Sequence, residues 1–296
     1  MMRDAWILGG VLLLSFAVVC HGLESQESTA AKIVPDASIG GAVPPEDANH
    51  PEVRPREVPG LGIELSTIVT SKHMWHGFDL LDDRGAFIPV ASFTFGDTGL
   101  AAKIIGVYPL AGGLECRQEL NGNASYTRAL FENTRYLTAI TLNYFYYGKP
   151  RLPSRMLNVE ELGIAVSWPA LCPLGGSAIV PSYYVADLWP ARSHAQNSDC
   201  GGFMHVLGLT YDFAVPDWHW GSLVPRFGLH SDITYNDGFG GPRVDHDWSH
   251  ATFGATAGVQ HGHLALTLSL NHQISMDRSV DDEDETWCGL DVTYHF

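Results

Sequence analysis

The chain has 296 residues and a formal charge of −16, from 33 acidic side chains against 17 Lys and Arg. That balance excludes a nucleic-acid partner, which needs a basic stripe, and the Cys residues show no CxxC spacing that would frame a zinc site. No cofactor is expected. Eight Trp, eleven Tyr and 31 Gly suit a protein with interfacial rings, tight turns and small lumen-facing positions.

At the N-terminus, Arg3 precedes an apolar run over residues 5–20. A spanning helix takes about 20 apolar residues, so the run is short for an anchor. A charged start, a short apolar middle and small residues after it read as a secretory signal over residues 1–22, with Cys20 and Gly22 at the −3 and −1 positions of the cut. Lipidation at Cys20 is disfavoured, because Val18-Val19 is a poor fit for the small residue wanted before such a cysteine. Residues 23–59 carry Pro35, Pro44, Pro45, Pro51, Pro55 and Pro59 and few large apolar side chains. Such a segment cannot bury enough surface to offset its ordering entropy, and is expected to be a disordered periplasmic leader. No later apolar run approaches 18 residues, so no helix is expected to cross a membrane.

From residue 60 onward the pattern changes to a period of two. Leu61, Ile63, Leu65 and Val69 share one face and Glu64 and Ser66 the other. The same alternation predicts strands near 86–95, 99–108, 136–147, 157–168, 177–188, 203–214, 222–235, 250–260, 264–274 and 287–296. With 60–70 that makes eleven, whereas single-chain bacterial barrels have an even number. Short turns and long loops should alternate, and the alternation fails only between Tyr108 and Tyr136. A weak strand at 118–130, with Asn121, Asn123, Ser125 and Thr127 on one face, restores it. The expected fold is therefore all-β: a twelve-stranded antiparallel up-and-down barrel over residues 60–296, with both chain ends at the periplasmic side. Pro89, Pro181 and Pro225 fall inside assigned strands, and each calls for a strand start or a bulge.

Alternation alone also fits a soluble sandwich. Two further features favour the membrane. The polar faces are small and neutral as often as charged, and aromatics gather at strand ends: Trp168, Trp189, Trp220, Trp248, Trp287, Tyr147 and Tyr235. The closing run Leu290, Val292, Tyr294, Phe296 resembles the terminal aromatic signal of bacterial outer-membrane proteins, which implies the barrel-assembly machinery as a partner with Tyr294 and Phe296 as the residues read. The segment Ser71-Lys72-His73-Met74-Trp75-His76-Gly77-Phe78-Asp79 resembles the "Ser-x-Tyr-x-x-Arg-Gly" start of a porin family called TorF-like, which has similar chains among planctomycete secreted proteins. His73 stands where that family has the aromatic, and His76 where it has the arginine. The resemblance implies a barrel in the outer membrane and transport, but no substrate.

A twelve-stranded lumen is narrow and would pass small solutes only. The inward faces are expected to hold Glu64, Asp187, Asp212, Asp232 and Asp291 against Lys103 and Arg226. That excess of acid predicts a cation preference, unless the charges pair across a plugged lumen. The segment 275–286 carries Asp277, Asp281, Asp282, Glu283, Asp284 and Glu285 and reads as a solvated, mobile acidic loop rather than a divalent-cation site, since the EF-hand pattern with its glycine is absent. Asp245, His246, Asp247 and His250 form the densest of the 14 His positions, and are read as knitting a loop rather than binding metal. His272, Ser275 and His205 do not assemble a hydrolase triad by spacing, so an outer-membrane lipase is the least favoured reading. Cys116 and Cys200 both fall in expected outer loops, where a disulfide is chemically allowed. The expected function is a porin-like channel in contact with outer-membrane lipids and small solutes; the runner-up is a closed structural or binding barrel.

Overall fold

A computed structural model of the chain describes residues 60–152, 158–174, 177–191, 200–213 and 222–296. The expected signal and leader lie outside the described residues, as does Trp220. Twelve long strands run in chain order: β1 (Gly62–Thr70), β2 (Ala86–Thr94), β3 (Leu100–Pro109), β4 (Glu119–Leu130), β5 (Thr138–Gly148), β6 (Val159–Ser167), β7 (Ser177–Pro190), β8 (Gly202–Asp212), β9 (Val224–Asp237), β10 (His246–His261), β11 (Leu264–Ser275) and β12 (Glu285–His295). Each pairs antiparallel with its neighbours in sequence. The ladder closes where β1 pairs with β12, Glu64 opposite His295 through to Thr70 opposite Gly289. The weak strand expected at 118–130 is β4, and it is the one that makes the count even.

The prolines fit without strand starts at every one. Pro225 is the second residue of β9, and Pro181 precedes the first β6–β7 pair, Ser167 opposite Ser182. Pro89 sits mid-strand. It stays paired to Thr67 on the β1 side, while the β2–β3 ladder skips from Phe87–Tyr108 to Val90–Ile105. The missing donor thus costs pairing on one side only, opposite Gly106, whose added Cβ would lie 3.3 Å from the Pro89 ring.

Closure turns the molecule inside out relative to a soluble domain. Leu65, Ile104, Leu142, Leu207, Leu268 and Leu290 are among the large apolar side chains exposed on the outer wall. Asn121, Asn123, Thr141, Asn143, Thr252 and Gln273 are buried on the inner one. A water-soluble protein rarely exposes apolar area on this scale, and a closed barrel leaves no unpaired edge, which is what lipid demands of a β-structure. The exterior is that of an outer-membrane barrel.

The shortest connections fall at one end, but the alternation of short and long is not strict, since residues 213–223 at that end are a longer connection than 238–245 at the other. At the end that holds residues 60–61 and Phe296, β10 and β11 are joined by residues 262–263 and β2 and β3 by 95–99. The other end carries segments such as 71–85, 110–118, 238–245 and 276–284. The first of these does not extend outward. It forms a small hairpin, Met74–Trp75 paired with Phe78–Asp79, that turns into the barrel. Met74 is fully buried and Leu81 nearly so.

Candidate functional site in the barrel lumen

The hairpin tip is the two-residue turn His76-Gly77. Both residues have positive φ, 50° and 89°, as a type I′ turn requires; glycine takes this conformation freely and histidine more readily than bulky residues do. The turn aims the His76 side chain at the inner wall of β6. There Glu161, with no exposed surface, meets three groups. His76 Nε2 lies 3.2 Å from Oε2. The Tyr147 hydroxyl donates to Oε2 at 2.7 Å, and the Tyr184 hydroxyl donates to Oε1. Burying a carboxylate is expensive unless it is paired and hydrogen-bonded, and both oxygens are served here.

Aromatic rings enclose this group. Trp75 packs against His76 at 4.7 Å between centroids, against Tyr147 at 4.9 Å and against Phe239 at 5.4 Å. Phe145, Ala186, Leu188, Met204 and Val206 complete an apolar cluster on the inner wall of β5–β8. On the opposite side Leu81 joins Ile68, Ala86, Ile88 and Val107 in a second cluster. The hairpin is therefore anchored on two walls. Gln273 Nε2 donates to the Gly77 carbonyl at 3.1 Å, and a Cβ added at Gly77 would lie 2.5 Å from the His250 ring.

At the rim, Lys72 forms ion pairs with Glu285 and Asp83. Burial alone would lower the Lys72 pKa, but the hydrogen bonds and charges of Asp83 and Glu285 outweigh it and the value is raised. Asp79, Asp83 and Glu285 bring one carboxylate oxygen each within 4.8 Å of the others, and Lys72 is the cation that answers them. The three carboxylates, with Asp82, Asp281, Asp282 and Glu283 and the single guanidinium of Arg278, line an acidic cleft of about 270 Å³. Arg117 ties segment 110–118 onto this rim, donating to Leu80 O at 2.5 Å and to Asp82 at 3.2 Å. The acidic segment is more ordered than its composition suggested. Met276 N bonds Ser249 O at 2.9 Å, the Ser279 hydroxyl donates to Asp277 at 2.8 Å, and Glu285 is the first residue of β12.

The remainder of the lumen is polar and finely divided. Lys103 stands between Ser92 and Asn123 across its two ladders. Glu64 pairs with His295 at 3.1 Å near the end that holds residues 60–61 and Phe296, Asp291 accepts from Thr293 at 3.1 Å, and Asp232 lies opposite Gly208 and Thr252. Asp212 and Arg226 occupy inward positions at the exposed end of β8 and β9. Asp187 is the exception among the expected lumen residues. Its cross-strand neighbours are Leu162 and Phe203, both on the exposed outer wall, so it faces outward. The reason lies in β7, where Tyr184, Ala186 and Leu188 turn inward to pack the hairpin; the apolar face there is the inner one.

The same inversion moves two of the expected girdle rings. Tyr147 and Trp287 are buried inside. Trp248 and Tyr235 remain on the outer wall, in edge contact at 5.6 Å, and Trp189 donates to Glu160 at 2.9 Å. The Asp245–His250 group does not converge: His246 pairs with Asp237 at 2.5 Å, while His250 is buried against Ser249, 2.8 Å away. His272 contacts Thr286 on the outer wall at 2.8 Å, Ser275 donates to Asp281 O, and His205 lies 2.7 Å from the Tyr183 hydroxyl. Cys116 and Cys200 are not joined in a disulfide with each other. The folded-in hairpin itself was not anticipated. Its signal was Met74-Trp75 and Phe78 flanking a His-Gly pair, a hairpin pattern too apolar for an exposed loop.

No family model matches the chain, and no curated protein sequence matches it, so the TorF-like resemblance rests on residues 71–79 and the strand layout. Solved structures do align. The NanC porin is 9% identical over 79% of this chain and 98% of its own, with a TM-score of 0.46. The COG4313 outer membrane channel from Pseudomonas putida F1 is 12% identical over 83% and 100%, with a TM-score of 0.44. LpxR from Salmonella typhimurium is 12% identical over 80% and 100%, with a TM-score of 0.43. Likenesses this low decide nothing about function. The closed ladder and the apolar exterior are what make this chain an outer-membrane β-barrel.

Proposed function

We propose that the chain is a porin-like channel that passes small solutes by diffusion, with the inward hairpin over residues 71–85 setting how wide the passage is. The observation that carries this reading is the chemistry of the inner wall. Soluble cores bury apolar groups, yet here Asn143 Nδ2, Ser167 Oγ and Gln273 Oε1 are buried on the inner wall with no protein partner among the described residues. An inner wall this rich in amide and hydroxyl groups is the lining of an aqueous path rather than of an apolar core.

The passage prefers cations. With Asp187 on the outer wall, the expected lumen charges that stay inward are Glu64, Asp212, Asp232 and Asp291 against Lys103 and Arg226, Glu161 and the Glu119–Lys149 pair lie inside as well, and the acidic cleft lies at the opposite, outer mouth. A field of one sign at a narrow mouth concentrates counter-ions. Outer-membrane lipids surround the exterior, and Tyr294 and Phe296, exposed with rings 4.8 Å apart on the seam strand, are the residues we assign to recognition by the assembly machinery.

Planar-bilayer recording of the refolded protein tests this. Discrete current steps with a reversal potential of cation sign in a salt gradient are expected. The second reading, a closed binding barrel, is favoured by the buried hairpin. It gains the ground if the wild type and a variant with residues 74–79 replaced by a short Gly-Ser link are both silent.

A further inference from the structure

Glu161 sits in an enclosure built for a compact cation. Its carboxylate has no exposed surface; Tyr147 and Tyr184 hydroxyls hold its two oxygens in place; and the rings of Trp75, Tyr147 and Phe239 close around the group that reaches it. A fixed carboxylate with aromatic walls is the chemistry that recognises small organic cations, through charge-assisted hydrogen bonds and the negative faces of the rings. In this structure that place is filled by the chain itself: His76 offers a ring nitrogen to Glu161 at 3.2 Å, and its ring lies 4.7 Å from Trp75 and 6.2 Å from Phe239.

The occupant is on a device that can leave. His76 stands at the tip of a hairpin of two residue pairs, carried on a segment whose rim contacts are ion pairs and hydrogen bonds rather than a continuous ladder. Both tip residues hold positive φ, and a non-glycine residue there keeps that conformation only while its surroundings enforce it. The groups facing the tip come from five strands: Tyr147 on β5, Glu161 on β6, Tyr184 on β7, His250 on β10 and Gln273 on β11. None of them is a positive Lys or Arg that would repel an incoming cation.

We infer that the Glu161 enclosure is a binding site for a planar or compact organic cation, of the guanidinium or imidazolium class, and that His76 is its tethered internal ligand, displaced when such a solute enters. This rests on the reading of the lumen as a solute path and names the solute class that path selects. Displacement moves the His76 side chain off Glu161 while Trp75, Tyr147 and Phe239 remain as the walls of the site. An internal competitor also weakens the apparent affinity of the external one, whose Kd rises as the inverse of the fraction of time the site is left free.

The test is binding of methylguanidinium chloride to the refolded full-length barrel, read by Trp75 emission, with Trp75→Phe identifying that residue's share of the signal. His76→Ala should give a saturable response at a concentration about tenfold or more below that needed by the wild type. Methylurea, of the same shape without the charge, should give none. Adding Glu161→Gln should abolish the response. No saturable response in His76→Ala, an equal response to methylurea, or a response that survives Glu161→Gln overturns the assignment; the methylurea comparison decides the matter even where the double variant does not fold. Conductance recorded on the same preparation separates the two readings: current without binding removes this inference and leaves the channel, and binding without current does the reverse.

Discussion

Two single residues decide whether the hairpin stays docked. Gly77 has φ +89°, and a Cβ there would meet His250 Nδ1 at 2.5 Å and His250 Cε1 at 2.7 Å. Gly77→Ala therefore imposes both a backbone penalty and a clash against a buried ring, and should destabilise the docked tip by more than about 1 kcal/mol. The expected result is faster proteolytic cleavage within residues 71–85 of the refolded barrel, with the strand signal in far-UV circular dichroism unchanged. Lys72 acts from the rim. Its side chain and that of Glu285 are 9% and 8% exposed, so Lys72→Met strands a buried carboxylate and should cost about 3 kcal/mol. Its raised pKa fixes the pH window. The stabilisation by protonated Lys72 is present in full below the ordinary lysine value of 10.5 and is lost as pH climbs through the higher value of the folded state. Protease sensitivity of the segment should thus show no contribution from Lys72 between neutrality and pH 10.5 and should rise only beyond it.

At the scale of elements, the strands were legible because most of them present an apolar face to lipid and a small polar face to the lumen. That contrast survives in Leu264, Leu266, Leu268 and Leu270 of β11, all exposed, whereas the weak β4 was placed by the need for an even strand count and a connection missing between Tyr108 and Tyr136. It failed where the inner face is also apolar. In β7 the inward Tyr184, Ala186 and Leu188 pack the hairpin, so polarity assigned Asp187 to the wrong wall. In β5 the same packing draws Tyr147 inside, and Trp287 of β12 is also fully buried. The period of two tells which residues share a wall, but only the identity of what fills the lumen tells which wall is which. The filling was illegible for a related reason: a segment between two strands carries no periodicity that says whether it projects into water or folds back. His76 could be seen as a departure from an arginine position, but its partner Glu161 is 85 residues away in sequence, and only barrel closure brings them together.

Across the whole molecule, the membrane assignment rests on an exterior that would be untenable in water, and it can be tested without reference to transport. Leu268 is 49% exposed on the outer wall, between Ala257 of β10 and Leu290 of β12, near the middle of β11. Its neighbour Thr267 faces the lumen, between Gly258 and Asp291. If the outer wall contacts lipid, Leu268→Arg places a charge in hydrocarbon and should cost about 2–4 kcal/mol, the range found for a basic residue at the midplane of a lipid-facing barrel wall. Thr267→Arg faces water and Asp291, and should leave stability nearly unchanged. A soluble sheet with an exposed leucine would give the opposite ranking, because an arginine on its water face is harmless and one in its interior is not. Urea unfolding of both variants in phospholipid vesicles, compared through their transition midpoints, reads the order directly. A lower midpoint for Leu268→Arg with little change for Thr267→Arg is the expected result, and the reverse order would remove the membrane reading and every transport property built on it.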